Sequence, residues 1–264
     1  MSRVNKTHYA VMRNLYIEND LMPEVDYFTT LNASMNIGLV IKGTMSKNYL
    51  KYLGIGIGKV ENIETITSQG FKPHALNRAL YNHIPFIVRL LATDLIQSER
   101  EKYRIRVVKN INGIDYVLYY LRIFNNTEIT INEYKVSRTD DGIDTPNVFV
   151  PQNENLNVLK YTPESYMLSV TNFIVAVKKY TIVLTTEELN EIYLGLQILY
   201  PNETKTIGEF GLFSGVDGND TSNNVELADT QLNYIVKTNG IPILQVNENN
   251  VIREIDIGGM EVMI

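Results

Sequence analysis

Gly54-Ile55-Gly56-Ile57-Gly58-Lys59 is the segment whose residue types could cradle a phosphate. Backbone N–H groups bared by glycines, followed by a lysine, are what a phosphate loop uses. The spacing fails that chemistry. Leu53 stands where the loop's first glycine belongs, and Val60 where a Ser or Thr would hold magnesium. The third glycine also comes too early for a dinucleotide fingerprint. A strand turn or tight backbone packing is the reading left for these glycines. Asp217, Asn219 and Thr221 have the spacing that opens a calcium loop, but Ser222 takes the required glycine position and Ala228 replaces the bidentate glutamate. A surface turn is expected there. His8, His74 and His83 are the only histidines, and His74 and His83 are too far apart for a compact metal motif. Neither a GxSxG elbow nor an HExxH pair occurs. The expectation is therefore no catalytic residue, no metal and no cofactor: the chain reads as a non-enzyme.

Composition narrows the partners. The net charge of −6 disfavours general nucleic-acid binding, which needs a cationic surface to displace counterions. The absence of cysteine removes disulfides and thiolate chemistry, so stability must come from packing or assembly. Residues 1–20 hold no apolar signal core, and the most apolar stretch, Tyr166 to Leu184, is broken by Asn172, Lys178 and Lys179. A soluble protein made in a cytoplasm, without membrane insertion, is expected. At 44% hydrophobic and 20% charged residues, 264 residues suffice for one large domain or two modest ones.

The elements around these residues can be read from periodicity. Val11, Met12, Leu15 and Tyr16 share one face of a helix over Asn5–Asn19, stopped by Pro23. Ile105–Ile111 and Ile114–Leu121 flank Asn112-Gly113, the pair a type I′ hairpin turn demands. Ile129–Val136 alternates and adds a third strand. The charge run Glu99–Arg106 reads as a solvated turn feeding the hairpin, or as a contact in which Arg104 and Arg106 face an acidic neighbour. From Arg138 to Glu164 the chain turns polar and carries Pro146, Pro151 and Pro163, which suggests an extended arm. A β stretch follows over Tyr166–Thr185. Thr185 and Glu188 then form a capping box before a helix over 186–200, whose Leu189, Ile192, Tyr193, Leu196 and Tyr200 make an apolar stripe. Short strands around 209–213, 232–237, 241–246 and 251–257 are separated by turn pairs at Asp217-Gly218, Asn239-Gly240 and Asn249-Asn250. The fold class is α+β and β-rich: antiparallel sheets or a sandwich, a few helices and a long extended arm. The expected division is an N-terminal part (1–138), an arm or linker (139–165) and a C-terminal part (166–264), with one continuous domain as the alternative.

Several islands together resemble tail-collar and tail-fibre-like proteins of tailed bacteriophages. They are Tyr52-Leu53-Gly54-Ile55-Gly56-Ile57-Gly58, His74–Tyr81 before Ile84-Pro85-Phe86, Asp94-Leu95 with Glu99–Arg106, and Glu209-Phe210-Gly211-Leu212-Phe213 before Asp217-Gly218. Tyr234–Thr238 is similar to that family's closing strand. The resemblance covers scattered parts of residues 49–238 and implies a virion structural subunit, without catalytic residues. The partners it implies are copies of the chain and other tail, baseplate, neck or fibre subunits, and the location is the virion after synthesis in the host cytoplasm.

An oligomeric adaptor that joins neighbouring rings or attaches fibres is the expected function. Extended arms clasp neighbours in such rings, which makes the 138–164 segment the expected interface. Its Val148, Phe149, Val150, Leu156, Val158 and Leu159 are apolar residues in a polar stretch, and Arg104 and Arg106 are added to the interface set. The alternative is a carbohydrate-binding receptor-recognition module, which would use Tyr116, Tyr119 and Tyr120 as an exposed aromatic platform.

Overall fold

The computed structural model describes residues 3–18, 35, 40–42, 49–57, 79–124, 129–138, 144–148, 172–203, 205–243 and 251–262. They form two compact units, one from residues 1–124 with 183–251, the other from 125–182 with 252–264. The divisions thus fall at 124 and 182, not at 138 and 165, and the last strand joins the middle of the chain. The β-rich α+β class with antiparallel sheets is what the structure has.

The first unit is built on a nine-stranded sheet. Its strands are β1 (Arg3–Lys6), β2 (Ile41–Lys42), β3 (Tyr49–Gly56), β4 (His83–Ile84), β5 (Ile87–Leu90), β6 (Tyr103–Ile111), β7 (Ile114–Ile123), β11 (Thr206–Asn219) and β12 (Val225–Pro242). The main path runs β1-β12-β11-β3-β7-β5, while β2 pairs with β11, β4 with β3 and β6 with β7. Among the described residues α1 (His8–Glu18), the single turn α2 (Gln97–Arg100) and α3 (Thr186–Leu199) accompany it. The second unit is a four-stranded sheet in the order β13-β10-β8-β9, from β8 (Ile129–Arg138), β9 (Asp144–Val148), β10 (Asn172–Leu184) and β13 (Val251–Val262).

Locally encoded elements fall where the sequence puts them. Asn112 (φ 53°) and Gly113 (φ 83°) make the hairpin turn, and Ile111 pairs with Ile114 across it. The Thr185 hydroxyl accepts the Glu188 N–H while the Glu188 carboxylate accepts the Thr185 N–H, so the capping box opens α3. Leu189, Ile192 and Leu196 of that helix are buried.

Other expectations are corrected. The first helix starts at His8, because residues 3–6 are drawn into a strand on Tyr234–Lys237 of β12. Thr7 ends that strand, its hydroxyl bonded to the Leu232 and Asn233 carbonyls. The third strand, β8, pairs with β9 and β10 in the other sheet, not with the hairpin. Part of the arm, Asp144–Val148, is a strand on Tyr134–Arg138; its Pro146 is tolerated because β9 is an edge. Asp217-Gly218 and Asn239-Gly240 lie inside β11 and β12, not in turns. The β11–β12 hairpin turns instead at 220–224, where the Asp220 carboxylate accepts the Ser222 and Asn224 N–H groups. Gly58, His74, the rest of the arm including Phe149, Val150, Leu156, Val158 and Leu159, and the Asn249-Asn250 pair lie outside the described residues.

Candidate functional site

Gly54 and Gly56 of the first island sit within β3, buried, and face another island directly. β3 and β11 pair antiparallel with Gly56 opposite Glu209, Gly54 opposite Gly211 and Tyr52 opposite Phe213. A Cβ on Gly56 would come 2.6 Å from Glu209 Oε1 and 2.8 Å from the Tyr81 carbonyl. On Gly54 it would meet Phe213 Cε2 at 2.7 Å and His83 Nε2 at 2.8 Å, and on Gly211 it would meet Phe213 at 2.6 Å and Leu80 Cδ2 at 2.9 Å. The glycines therefore make room for Glu209, Phe213 and His83, and their N–H groups serve the ladder. This is tight packing, not a phosphate cradle. Phe210 and Leu212 are fully buried as well.

Two charges lie in that core. Lys237 Nζ stands 2.6 Å from Glu209 Oε2, with 2% and 1% of the side chains exposed. Glu209 Oε1 lies against Gly56, and the Tyr81 backbone adds a weaker hydrogen bond to the carboxylate. Burial pushes the Glu209 pKa up, and Lys237 pulls back only part of that rise. His83 stacks on Phe213 at 5.7 Å and meets the edge of Tyr120 at 5.4 Å. Its Nε2 lies 3.2 Å from the Tyr120 carbonyl, and its Nδ1 is buried without a partner among the described residues. Burial lowers the imidazole pKa to about 4, although the Tyr120 carbonyl favours the proton.

Farther along β11, irregular register between Val216 and Asp217 breaks the side-chain alternation. Asp217 there gathers three donors. Oδ1 accepts from Tyr52 Oη at 2.7 Å and Arg104 Nε at 2.9 Å; Oδ2 takes Lys51 Nζ at 2.7 Å. Burial raises the Asp217 pKa, but Arg104, Lys51 and Tyr52 together outweigh it and hold the carboxyl below its ordinary value. Burial and Asp217 drive the Tyr52 phenol upward. Beside this hub, Asp94 accepts Arg106 at 2.8 and 2.9 Å and the Tyr119 hydroxyl at 2.7 Å. Arg89 pairs with Glu191 and Arg122 with Glu188, tying α3 to the sheet.

A family model described as a family of unknown function, DUF7208, matches residues 2–264. The chain belongs to that family. No curated protein and no solved structure matches the chain significantly. In this DUF7208 member the match runs through both units, so the family is defined on the whole chain and not on one sheet.

The sequence-selected residues separate accordingly. Gly54, Gly56 and Glu209 to Phe213 meet in one place. Arg104 and Arg106 spend their guanidinium groups on Asp217 and Asp94 of their own unit. Tyr119 and Tyr120 are 1% and 8% exposed, which takes two of the three rings out of an aromatic platform. Val148 is placed only as a strand residue opposite Tyr134. Sequence reasoning missed Lys51, Tyr52, Asp94 and Lys237 as members of the network. The signal available at Lys237 was a lysine directly after the apolar run Tyr234-Ile235-Val236. Among the described residues no cluster of histidines and carboxylates fit to hold a metal occurs, and no described helix is long and apolar enough to cross a membrane.

Proposed function

We propose that the chain is a structural subunit of a tailed-phage virion, an oligomeric adaptor in the tail, baseplate or neck. One observation carries the reading: the phage-like islands, scattered over the sequence, become neighbours in space. Gly54 and Gly56 of the first make room for Glu209 and Phe213 of the fourth. Leu80 and Tyr81, which end the second, close over Gly211 and Gly56. Asp217 engages Tyr52 of the first and Arg104 of the third, while Lys237 of the closing strand reaches Glu209. A set of motifs that packs on itself is what a shared scaffold leaves in sequence. A shared catalytic site would instead aim those side chains at a cleft. Here the Asp217 oxygens are taken by three donors and the Gly54–Gly56 backbone by a ladder, so these motifs build structure.

Mass spectrometry of purified particles, followed by location of the chain in a particle map, tests the proposal. The expected result is a stoichiometric ring or adaptor component that touches copies of itself. Absence from purified particles, with a monomer in solution at high concentration, would overturn it.

A further inference from the structure

Four non-glycine residues among those described have positive φ: Asn82 (43°), Ile105 (58°), Asn112 (53°) and Asn223 (62°). Three are asparagines at turns or bends, where the left-handed region is tolerated. Ile105 is different. It is β-branched, fully buried and inside β6, and such a residue holds this conformation only where its surroundings impose it.

The imposing group is visible. The left-handed backbone turns two successive N–H groups to one side, and the Glu226 carboxylate accepts both: Oε1 from Ile105 at 2.7 Å and Oε2 from Arg106 at 2.9 Å. Oε1 also accepts the Leu227 N–H at 2.8 Å. Consecutive N–H groups arranged in this way form an anion nest. Its occupant here is an internal side chain, 7% exposed. In the β6–β7 ladder, Arg104 pairs with Leu121 and Arg106 with Tyr119, and the pair between them is skipped.

We propose that Glu226 is a latch on a sprung residue: its carboxylate holds Ile105 left-handed, and drawing Glu226 away lets the start of β6 relax into an extended ladder opposite β7. Glu226 follows the 220–224 turn, whose Thr221, Ser222 and Asn223 are exposed. A contact at that tip reaches the latch through Asn224 and Val225. The device couples the surface end of the β11–β12 hairpin to the conformation of β6, and it stands independently of the virion reading.

The test compares Ile105→Gly with Ile105→Ala, alone and combined with Glu226→Gln, by urea denaturation. Both substitutions remove the Ile side chain. Glycine is the worse choice in an extended strand and the better one at positive φ. A glutamine cannot fill the nest, since its amide nitrogen would point a donor at a donor. The expected result is a higher urea midpoint for Ile105→Gly than for Ile105→Ala when Glu226 is present, with the order reversed in the Glu226→Gln background. Alanine equal to or better than glycine with Glu226 present would overturn the proposal, and so would a glycine advantage that survives Glu226→Gln. Should the Ile105 variants fail to fold, Glu226→Gln alone decides by NMR. A rise of the Ile105 HN–Hα coupling into the extended range supports the latch, and an unchanged coupling refutes it.

Discussion

Glu209 and Asp217 lie on one strand, β11, and live under opposite rules. Glu209 is buried among glycines and aromatic rings with one cation, and burial dominates its titration. Asp217 is about a quarter exposed and meets three donors, and those donors dominate. A carboxylate in a dry core depends on its single cation, whereas one at the margin shares its charge over several donors. The first arrangement is brittle and fixes how β3, β11 and β12 register. The second is redundant and joins β3, β6 and β11 without relying on any one contact.

The largest effect should come from breaking the brittle pair. Lys237→Met keeps most of the apolar stem and leaves the Glu209 carboxylate buried without its cation. The expected cost is about 3–5 kcal/mol in unfolding free energy. Replacing both residues by methionine should recover most of that loss. If urea denaturation finds the single variant within about 1 kcal/mol of wild type, the pair is more hydrated than its burial implies.

His83 belongs to the same dry end. Its folded pKa of about 4 lies below the ordinary 6.5, so between those values the unfolded chain binds more protons. Stability from the neutral ring is complete above pH 6.5 and is lost as pH falls to about 4. The full swing is about 3 kcal/mol by linkage. His83→Gln should flatten the urea-midpoint profile across that window, and an unaltered profile would assign the acid sensitivity to other groups.

At the redundant end, Asp217→Asn should cost about 1.5–3 kcal/mol, the range for hydrogen bonds to a charged acceptor. Lys51→Met should cost less, because Arg104 and Tyr52 remain on the carboxylate. A double-mutant cycle between Lys51 and Arg104 checks the redundancy: each loss should be larger when the other has already been made.

The contrast between locally and remotely encoded structure explains how much was readable. Asn112-Gly113 and the Thr185–Glu188 box work within four residues, so both the hairpin and α3 were legible. The β11 partners of Gly54 and Gly56 lie more than 150 residues away, and no local pattern says that a glycine is vacant for a distant glutamate. Asp217-Gly218 has turn composition, yet Asp217 faces Lys51, Tyr52 and Arg104, and β2 comes against Gly218, so strand pairing overrides the preference. The short strands expected after residue 205 merged into long ones for the same reason. Ile105 carries no sequence signal at all, because the Glu226 nest imposes its conformation.

The finest test of the comparison is the sign of two pH slopes. The folded pKa of Asp217 is depressed, so its stabilisation is present above the unfolded value of 3.8 and is lost as pH falls through the folded value. That of Glu209 is raised, so its contribution is greatest below the unfolded value of 4.5 and is lost as pH rises through the folded value. Asp217→Asn removes a term that favours high pH and should make the acid limb of the stability profile shallower. Glu209→Gln removes a term of the opposite sign and should make it steeper. His83 titrates in part of the same range, but it is common to both variants and cancels in their difference. The measurement is unfolding free energy at half-unit steps from pH 3 to 6 for the two variants. Slopes that move in the same direction would mean that Lys237, and not burial, governs Glu209, and the two ends of β11 would then obey one electrostatic rule.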